Sequence, residues 1–292
     1  MPERETERAA ARDVRRFLEE EAAAGRADLW EAVISGYVRA AGAPAAPRAT
    51  ESAAEPPAPA RPARPAPPSA SAPPDPERES LLFDTPRLTT VARGPAAPLA
   101  GDTLARVAKE VVGCTKCGLA GCRTQAVPGV GQGTSGIVFV GEAPGAEEDR
   151  RGEPFVGRAG ELLTKILAAM DERQLIPGVP IDRDTVYICN VLKCRPPENR
   201  NPLPHEIEAC SPYLYRQLAL LRPRVICCLG KFAAELLVGA RGTVGAMRGQ
   251  VYRFGQAKLL VTYHPAACLR NPGLKRPVWE DMQRLAQEYL AP

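Results

Sequence analysis

Four short apolar runs, each followed by a segment with helical periodicity, constrain the fold of this chain most. The runs are rich in β-branched residues, as buried strands are, and they cover residues 137–140, 186–189, 225–229 and 259–262. Apolar residues then recur at helical spacing over 157–173, 207–221, 231–238 and 278–290. Strands that alternate with helices form right-handed βαβ units. The sequence therefore predicts an α/β fold, with a mostly parallel central sheet and helices on both faces.

The first hundred residues differ in composition from the rest. Residues 1–42 are rich in Ala, Glu and Arg and carry apolar residues at helical spacing, which predicts a short helical segment. Residues 43–100 are dominated by Pro and Ala, which predicts a disordered linker. The folded domain is then expected over 101–292, behind a largely disordered N-terminal extension.

Charge and hydropathy set broad limits on partners and location. The net charge of +4 is too small to identify a partner by itself. No apolar run approaches the roughly 20 residues of a membrane span, and the N-terminus is charged from Glu3 onward. We expect a cytoplasmic protein with no signal peptide and no membrane partner. In that reducing compartment, the nine cysteines are expected to be ligands or core thiols instead of disulfides.

Loops at the carboxyl ends of the predicted strands define the candidate site. Parallel strands bring these ends to one edge of a sheet, which is where ligands bind in open α/β folds. The loops are 141–149, 190–201, the turn after Gly230, and 264–270. The sequence predicts a single cleft there, lined by Glu142, Glu148, Phe155, Asn190 and His264.

Taken alone, each of these side chains has a structural interpretation as well as a functional one. His264 precedes a proline at a strand end and is either a hydrogen-bonded structural histidine or a catalytic one. Asn190 ends another strand, and its amide both donates and accepts, which suits the edge of a nucleic-acid base. Phe155 is flanked by Gly and Pro residues, which favours a stacking platform on a loop over a core position. Gly141 and Gly145 allow backbone N–H groups to approach a ligand closely.

Four cysteines form a candidate metal or cluster site. A helix predicted to have Asp102 as its N-cap and to end at Gly113 leads directly into Cys114 and Cys117, which have two-residue spacing. Cys194 and Cys210 supply two more thiolates. Four thiolates suit zinc or an iron-sulfur cluster, and spacing alone leaves both open. Cys122 is a possible fifth ligand, whereas Cys189, Cys227 and Cys228 lie in apolar strands and are expected to be core thiols.

Several separate motifs resemble one known family, the family 4 uracil-DNA glycosylases, which carry a [4Fe-4S] cluster. The motifs are Cys114-x-x-Cys117, Gly141-Glu142-Ala143-Pro144-Gly145 with Glu148-Asp149, Pro154-Phe155-Val156-Gly157, Asn190 with Lys193-Cys194-Arg195-Pro196-Pro197 and Asn199-Arg200, Cys210, and His264-Pro265 with Leu269-Arg270. They occur in the family's order over about 107–290. Residues 1–100 lie outside the resemblance.

The resemblance implies a three-layer sandwich like that of uracil-DNA glycosylases and a role in base excision DNA repair in the bacterial cytoplasm or nucleoid. Such an enzyme flips uracil out of DNA and hydrolyses its N-glycosidic bond, leaving an abasic site. The implied cluster ligands are Cys114, Cys117, Cys194 and Cys210. The implied substrate-binding residues are Gly141, Ala143, Gly145, Phe155, Asn190 and Asn199, with Phe155 stacked on the base and Asn190 at its polar edge.

Catalysis and DNA contacts follow from the same resemblance and from the chemistry. His264 faces O2 of the base, where charge develops, and a carboxylate is needed for the sugar cation or the attacking water. Glu142 is the first candidate for this carboxylate and Glu148 the second. Family 1 enzymes have aspartate at the position of Ala143 and tyrosine at that of Gly145, so the carboxylate and the exclusion of thymine must come from elsewhere in this chain.

Three residues are candidates for holding DNA. Leu269 is either a wedge for the vacated base stack or a core leucine, and Arg270 is expected beside a phosphate. Arg200, with Lys193 and Arg195 in the same loop, either contacts the DNA backbone or forms a solvated basic loop.

The partners and one alternative function complete the expectations. The partner is uracil-containing DNA, single- or double-stranded, bound by a monomer, and the N-terminal region is available to another protein. The alternative is a non-catalytic or adduct-forming uracil-DNA-binding protein of the same superfamily. Adduct-forming relatives carry a basic, histidine-containing insertion before the last strand, and its absence here favours turnover.

Overall fold

A computed structural model describes residues 98–239 and 241–292, together with the backbone of residues 89–90. The predicted helical segment 1–42 and most of the predicted linker 43–100 lie outside these residues. No helix in the described part is both long enough and apolar enough to cross a membrane.

A six-stranded sheet forms the centre of the domain. Its strands are β1 (Thr89–Thr90), β2 (Ile137–Gly141), β3 (Tyr187–Asn190), β4 (Val225–Leu229), β5 (Val251–Phe254) and β6 (Ala257–Thr262), in the order β1-β5-β6-β4-β2-β3. All neighbouring pairs are parallel except β5 and β6, which are antiparallel. The mostly parallel α/β sheet expected from the sequence is confirmed.

Helices cover both faces of this sheet. They are α1 (Leu104–Val112), α2 (Ala146–Arg151), α3 (Arg158–Glu172), α4 (Pro204–Leu221), α5 (Lys231–Val238), α6 (Val244–Met247), α7 (Pro265–Arg270) and α8 (Lys275–Leu290), with 3-10 turns at Gly118–Gly121, Pro197–Asn199 and Pro272–Leu274. Alternate residues of β2 point to opposite faces. Val138 and Val140 pack with α1, α4 and α5, whereas Ile137 and Phe139 pack with α3 and α8. The predicted three layers therefore follow from the two-residue period of the buried strands.

Two pieces of the sheet were not expected from the sequence. Strand β5 was missed, and only Gly255 and Gln256 join it to β6. Strand β1 lies within the segment predicted to be linker, where Thr89 pairs with Tyr252 of β5. Two threonines carry almost no apolar signal, so their pairing depends on the edge that β5 offers.

The start of α1 also differs from the prediction. Thr103, not Asp102, is the N-cap, and its hydroxyl accepts from the Arg106 N–H at 3.1 Å. Asp102 instead receives two hydrogen bonds from Arg216 of α4, at 2.8 and 2.6 Å. These bonds are the main reason why the pKa of Asp102 falls to about 2. The carboxylate is thus used to hold α1 against α4, upstream of Cys114.

Candidate active site

The carboxyl ends of four strands meet at one edge, as predicted. Gly141 at the end of β2 is in register with Asn190 at the end of β3. Gly230, which follows β4, donates its N–H to the carbonyl of Thr262 at 2.9 Å, close to His264. A Cβ on Gly230 would lie 3.1 Å from the Cβ of His264. Backbone pairing therefore brings Gly141, Asn190 and His264 to one place.

Asn190 has the most unusual hydrogen-bonding state in this part of the fold. Its side chain is 2% exposed, and Oδ1 is the buried side-chain polar atom without a partner among the described residues. Leaving such an acceptor unpaired costs about 1–3 kcal/mol. Gly141 makes room for it, because a Cβ there would collide with Asn190 Oδ1 and lie 2.6 Å from Cζ of Phe155. The amide oxygen is thus positioned to receive a donor from a bound molecule.

Phe155 forms an aromatic wall with His264. Its ring is 5% exposed and stacks on the imidazole, with centroids 5.4 Å apart and planes at 28°. Its φ of 54° is in the left-handed region, which is strained for an aromatic residue. Gly160 packs directly beneath, since a Cβ there would collide with the Phe155 carbonyl group. Such strain persists where surrounding contacts fix the backbone.

Arg183 supplies those contacts, and sequence reasoning missed it. Its guanidinium donates to the carbonyl of Pro154 at 2.8 Å, to that of Phe155 at 3.0 Å, and to the carboxylate of Glu153 at 3.0 Å. This arginine lies in the loop before β3 and belongs to no motif, so no pattern in the sequence identifies it.

His264 is held as a neutral hydrogen-bond donor. It is the N-cap of α7, and its Nδ1 accepts from the Ala266 N–H at 3.1 Å. The proton of the neutral ring is therefore on Nε2. Burial of the ring, assisted by the charge of Arg270, lowers the pKa of His264 to about 4. At neutral pH the imidazole presents an uncharged N–H.

The two candidate carboxylates have different surroundings. Glu142 is half-buried, and burial raises its pKa, an effect that Arg270 opposes. Glu148 accepts from the Gly145 N–H through Oε2 and from the N–H groups of Val156 and Gly157 through Oε1, each at 3.1 Å. Three backbone donors commit Glu148 to joining two loops. Its place as the second choice for the catalytic carboxylate stays a prediction.

The 141–149 loop is shorter than predicted, because α2 begins at Ala146. Gly145 is its N-cap, and a Cβ there would lie 2.7 Å from Oε2 of Glu148. The bulky residue that family 1 enzymes have at this position would displace that carboxylate. Ala143 is half-buried and packs against the core on the α1 and α4 side.

The predicted DNA-contact residues fall into two groups. The 264–270 loop of the prediction is helix α7, where Leu269 packs partly against the cluster of Leu162, Cys268 and Val278 and Arg270 is exposed. On the other loop, Arg200 makes two hydrogen bonds to Glu206, at 2.9 and 2.6 Å.

Asn199 is exposed, and its side chain accepts from Arg195 Nε at 2.8 Å. Arg200 and Asn199 therefore already have protein partners, which the loop sequence did not reveal.

The four candidate cysteine ligands line one cavity, with Val111, Ala120 and Tyr213 among its other walls. Cys194 Sγ accepts from Arg123 at 3.0 Å, and Cys210 Sγ accepts from the Lys193 N–H at 3.2 Å. Within the described residues, no three His, Cys, Asp or Glu side chains are spaced to chelate a single metal ion. Cys122 is exposed and donates to the Leu119 carbonyl at 3.5 Å.

The fold and this edge define a class of protein. A sequence model described as "Uracil DNA glycosylase superfamily" matches residues 128–283, which is more than half of the chain. The chain therefore belongs to the uracil-DNA glycosylase superfamily.

Individual relatives narrow the assignment within the superfamily. The type-4 uracil-DNA glycosylase of Archaeoglobus fulgidus is 45% identical over 194 residues, which cover 64% of this chain and 93% of that protein. Those of Sulfurisphaera tokodaii and Thermotoga maritima are 41% and 43% identical, covering 65% and 61% of this chain and 87% and 90% of those proteins. The chain belongs to the type-4 family, as its motifs predicted.

Proposed function

We propose that the chain is a DNA-repair glycosylase that flips uracil out of DNA and hydrolyses its N-glycosidic bond, leaving an abasic site. The activity for which the type-4 relatives are named supports this assignment. The observation that carries it in this chain is the buried, unpartnered Oδ1 of Asn190 beside the stacked rings of Phe155 and His264. A planar nucleic-acid base is a ligand that can both stack on such rings and form a hydrogen bond with the buried amide.

The Asn190 amide explains how uracil is distinguished from cytosine. Uracil presents an N3–H donor and an O4 acceptor, which match Oδ1 and the side-chain N–H of an asparagine. Cytosine presents an acceptor at N3 and a donor at its amino group, so both contacts would be repulsive. Because Asn190 is buried, the mismatched groups would stay without water. Sites of this kind discriminate strongly, since the unpaired polar groups are costly.

The leaving base is stabilised by His264 in this mechanism. Breaking the glycosidic bond places negative charge on uracil, and O2 is one of the atoms that carry it. A neutral imidazole with its proton on Nε2 donates a hydrogen bond to O2 without transferring the proton. The Nδ1 contact with Ala266 fixes the orientation of the ring before the reaction begins.

The sugar side of the reaction is assigned to Glu142. An oxocarbenium-like sugar needs a nearby negative charge, and the attacking water needs an acceptor for its proton. Glu142 lies in the loop directly after Gly141; burial raises its pKa, and the charge of Arg270 opposes that rise. Glu148 is the second choice, because three backbone donors already hold its carboxylate.

DNA contacts are proposed at α7. Arg270 is exposed close enough to Glu142 and His264 to influence both, which suits a phosphate next to the flipped nucleotide. Leu269, with one side against the core, is proposed as the wedge in the vacated stack. For Arg200 to contact the DNA as well, its guanidinium would have to release Glu206 and bind a phosphate instead.

The proposed partner is uracil-containing DNA, single- or double-stranded. It is bound by a monomer, and residues 1–100 are available to another protein.

The four-cysteine cavity fits a [4Fe-4S] cluster, which we propose is held by Cys114, Cys117, Cys194 and Cys210. Their thiols share one cavity, and two of them, those of Cys194 and Cys210, receive N–H donors, as cluster sulfurs do. When bound, the cluster would cross-link the segment after α1, the 190–201 loop and α4 without taking part in the hydrolysis.

Release of free uracil from a labelled oligonucleotide tests the proposed function. The purified chain should release uracil from a uracil-containing strand and leave matched cytosine and thymine strands intact. Asn190→Ala should reduce the release strongly, whereas Glu172→Ala, a change at an exposed residue at the end of α3, should not. If the protein bound or covalently trapped the DNA and released no free uracil, the proposed catalytic turnover would be refuted. The two-residue connection between β5 and β6 argues against that outcome, because adduct-forming relatives carry an insertion before the last strand.

A further inference from the structure

Lys193 is a buried cation between the cysteine cavity and the base pocket. It is 1% exposed, and its Nζ donates to the backbone carbonyl of Asn190 at 2.9 Å and to Oε1 of Gln217 at 2.7 Å. Both acceptors are neutral, and no described carboxylate forms an ion pair with this ammonium within 4.0 Å. A buried charge without compensation is strongly destabilising. Lys193 therefore needs a negative partner.

The cysteine cavity is where that negative charge would reside. Lys193 is one of its lining residues, and its backbone N–H donates to Cys210 Sγ at 3.2 Å. The next residue, Cys194, is itself a proposed ligand. Thiolates bound to an iron-sulfur core carry net negative charge, and nearby cations and N–H donors stabilise it.

The same ammonium supports the residue that reads the base. Beyond β3, the chain is held against the other loop, because Val191 donates to the Gly141 carbonyl and Leu192 to the Glu142 carbonyl, each at 3.0 Å. Lys193 Nζ supplies the bond to the Asn190 carbonyl itself. The direction of the Asn190 side chain depends on this backbone.

Gln217 makes this support rigid. Its amide N–H donates to the Pro128 carbonyl and to the Tyr187 hydroxyl, each at 2.9 Å, and the side chain is fully buried. Lys193 is consequently anchored to α4, the helix that carries Cys210.

We propose that Lys193 is a positioning residue that couples the two sites: its ammonium offsets the thiolate charge of the cluster, and its bond to the Asn190 carbonyl aims the amide at uracil. The inference rests on the proposed function, since it takes Asn190 as the base-reading residue and the four cysteines as cluster ligands. It assigns to a single buried lysine the link between cluster loading and base recognition.

The test uses the purified full-length chain, with free uracil as the binding probe. Two quantities are measured for each variant: the half-life of bound iron under a chelator, and the affinity for free uracil. Lys193→Met should shorten the iron half-life several-fold and weaken uracil binding about tenfold. Arg123→Met is the matched control, because Arg123 donates to Cys194 Sγ and to the Val112 carbonyl and has no bond to Asn190. It should shorten the iron half-life and leave uracil affinity unchanged.

A double-mutant cycle separates positioning from a general loss of structure. In an Asn190→Ala background, Lys193→Met should cost little further uracil affinity, because its effect passes through Asn190. An equal loss in both backgrounds would overturn the positioning role. Wild-type iron retention in Lys193→Met would overturn the counter-ion role.

A second variant covers the case in which Lys193→Met does not fold. Lys193→Arg keeps the charge and changes the reach, so it should retain iron and lose uracil affinity; wild-type values for both quantities would overturn the inference. If the wild-type chain itself held no iron and released no uracil, the proposed function would fail instead. The two failures are therefore distinguishable.

Discussion

At the residue scale, His264 shows how environment selects one of several possible chemistries. A histidine before proline at a strand end suits a structural residue or a catalytic one equally well. In the structure, Ala266 fixes the tautomer and burial keeps the ring neutral. A neutral, oriented Nε2–H stabilises a developing anion without needing to titrate.

Replacing His264 should therefore slow bond cleavage more than DNA binding. Loss of one preorganised donor costs about 100- to 1,000-fold in rate. His264→Ala should be slow in single-turnover kinetics even at saturating enzyme. Arg270→Ala is the contrasting variant: if Arg270 only holds a phosphate, more enzyme should restore its rate, and the salt dependence of binding should flatten. If the His264→Ala variant at saturating concentration cleaved the bond at the wild-type rate, His264 would be a structural residue. Glu142 would then be the main candidate for catalysis.

The lowered pKa of His264 predicts how the ring responds to pH. Its folded pKa of about 4 lies below the ordinary value of 6.5, so the neutral form persists as the pH falls between them. Between these two pH values the histidine is protonated in the unfolded chain and stays neutral in the folded chain. His264 therefore lowers the free energy of unfolding as the pH falls. Above about pH 6.5 it contributes no pH dependence.

The protonation state of His264 can be measured from the NMR signals of its imidazole. The chain has two histidines, so the signals that remain in a His205→Gln variant belong to His264. We expect the His264 resonances to stay constant from about pH 8 to 5.5, and a midpoint near 6.5 would contradict the neutral-donor mechanism.

At the element scale, one loop is held by a residue from another. The 153–155 turn carries the strained Phe155, and Arg183 from the loop before β3 binds two of its carbonyls. The platform for the base is thus made by a contact between loops.

Arg183→Gln should release this turn and weaken base binding. We expect uracil affinity to fall about tenfold, with a smaller effect on the rate at saturation, because Phe155 contacts bound base in both ground and transition states. Arg183→Lys should recover part of the loss. Arg151→Gln, at an exposed arginine of α2, is the matched control and should change neither quantity. Unchanged affinity for free uracil in Arg183→Gln would show that Phe155 is positioned without it.

At the scale of the whole molecule, the four-cysteine cavity joins distant parts of the chain. Cys114 and Cys117 follow α1, Cys194 lies beyond β3, and Cys210 lies in α4. A bound cluster ties these segments together, so its loss should affect folding more than chemistry.

The purified protein should be brown, absorb at about 400 nm and contain iron. Cys194→Ser should lose most of this absorbance together with solubility. Cys122→Ser, at the exposed cysteine, should retain both. Zinc without iron in elemental analysis would refute the cluster, as would a soluble, iron-free and fully active Cys194→Ser.

The described domain is expected to work without the segment before it. A truncated chain that begins near Ala100 should fold and release uracil at a rate close to that of the full chain, because the proposed site and its core lie after that residue. The measurement compares thermal unfolding and uracil release for both chains. Loss of all activity in the truncated chain alone would make residues 1–100 part of the working enzyme, as the pairing of Thr89–Thr90 with β5 makes conceivable.

The sequence by itself determined the layers of this protein and the edge at which its site lies. Apolar runs such as Val225–Leu229 are buried on both faces wherever they pair, and their alternation with helices leaves few topologies. Chain direction then places the ends of β2, β3 and β6 together. Asn190 and His264 were predicted for the same reason, because each lies at or beside such an end, whereas Phe155 was predicted from its flanking Gly and Pro residues.

Only the tertiary structure decided which polar side chains are free to act. Glu148, Asn199 and Arg200 match the family's pattern, but each is already paired in the fold, whereas Asn190 keeps a buried oxygen without a partner. The roles proposed for Arg183 and Lys193 rest on their hydrogen bonds to backbone carbonyl groups. Every residue has a backbone carbonyl that can accept a hydrogen bond, so the residue types do not reveal which carbonyl a side chain will bind. The tertiary fold decides this by bringing one particular carbonyl close to the side chain.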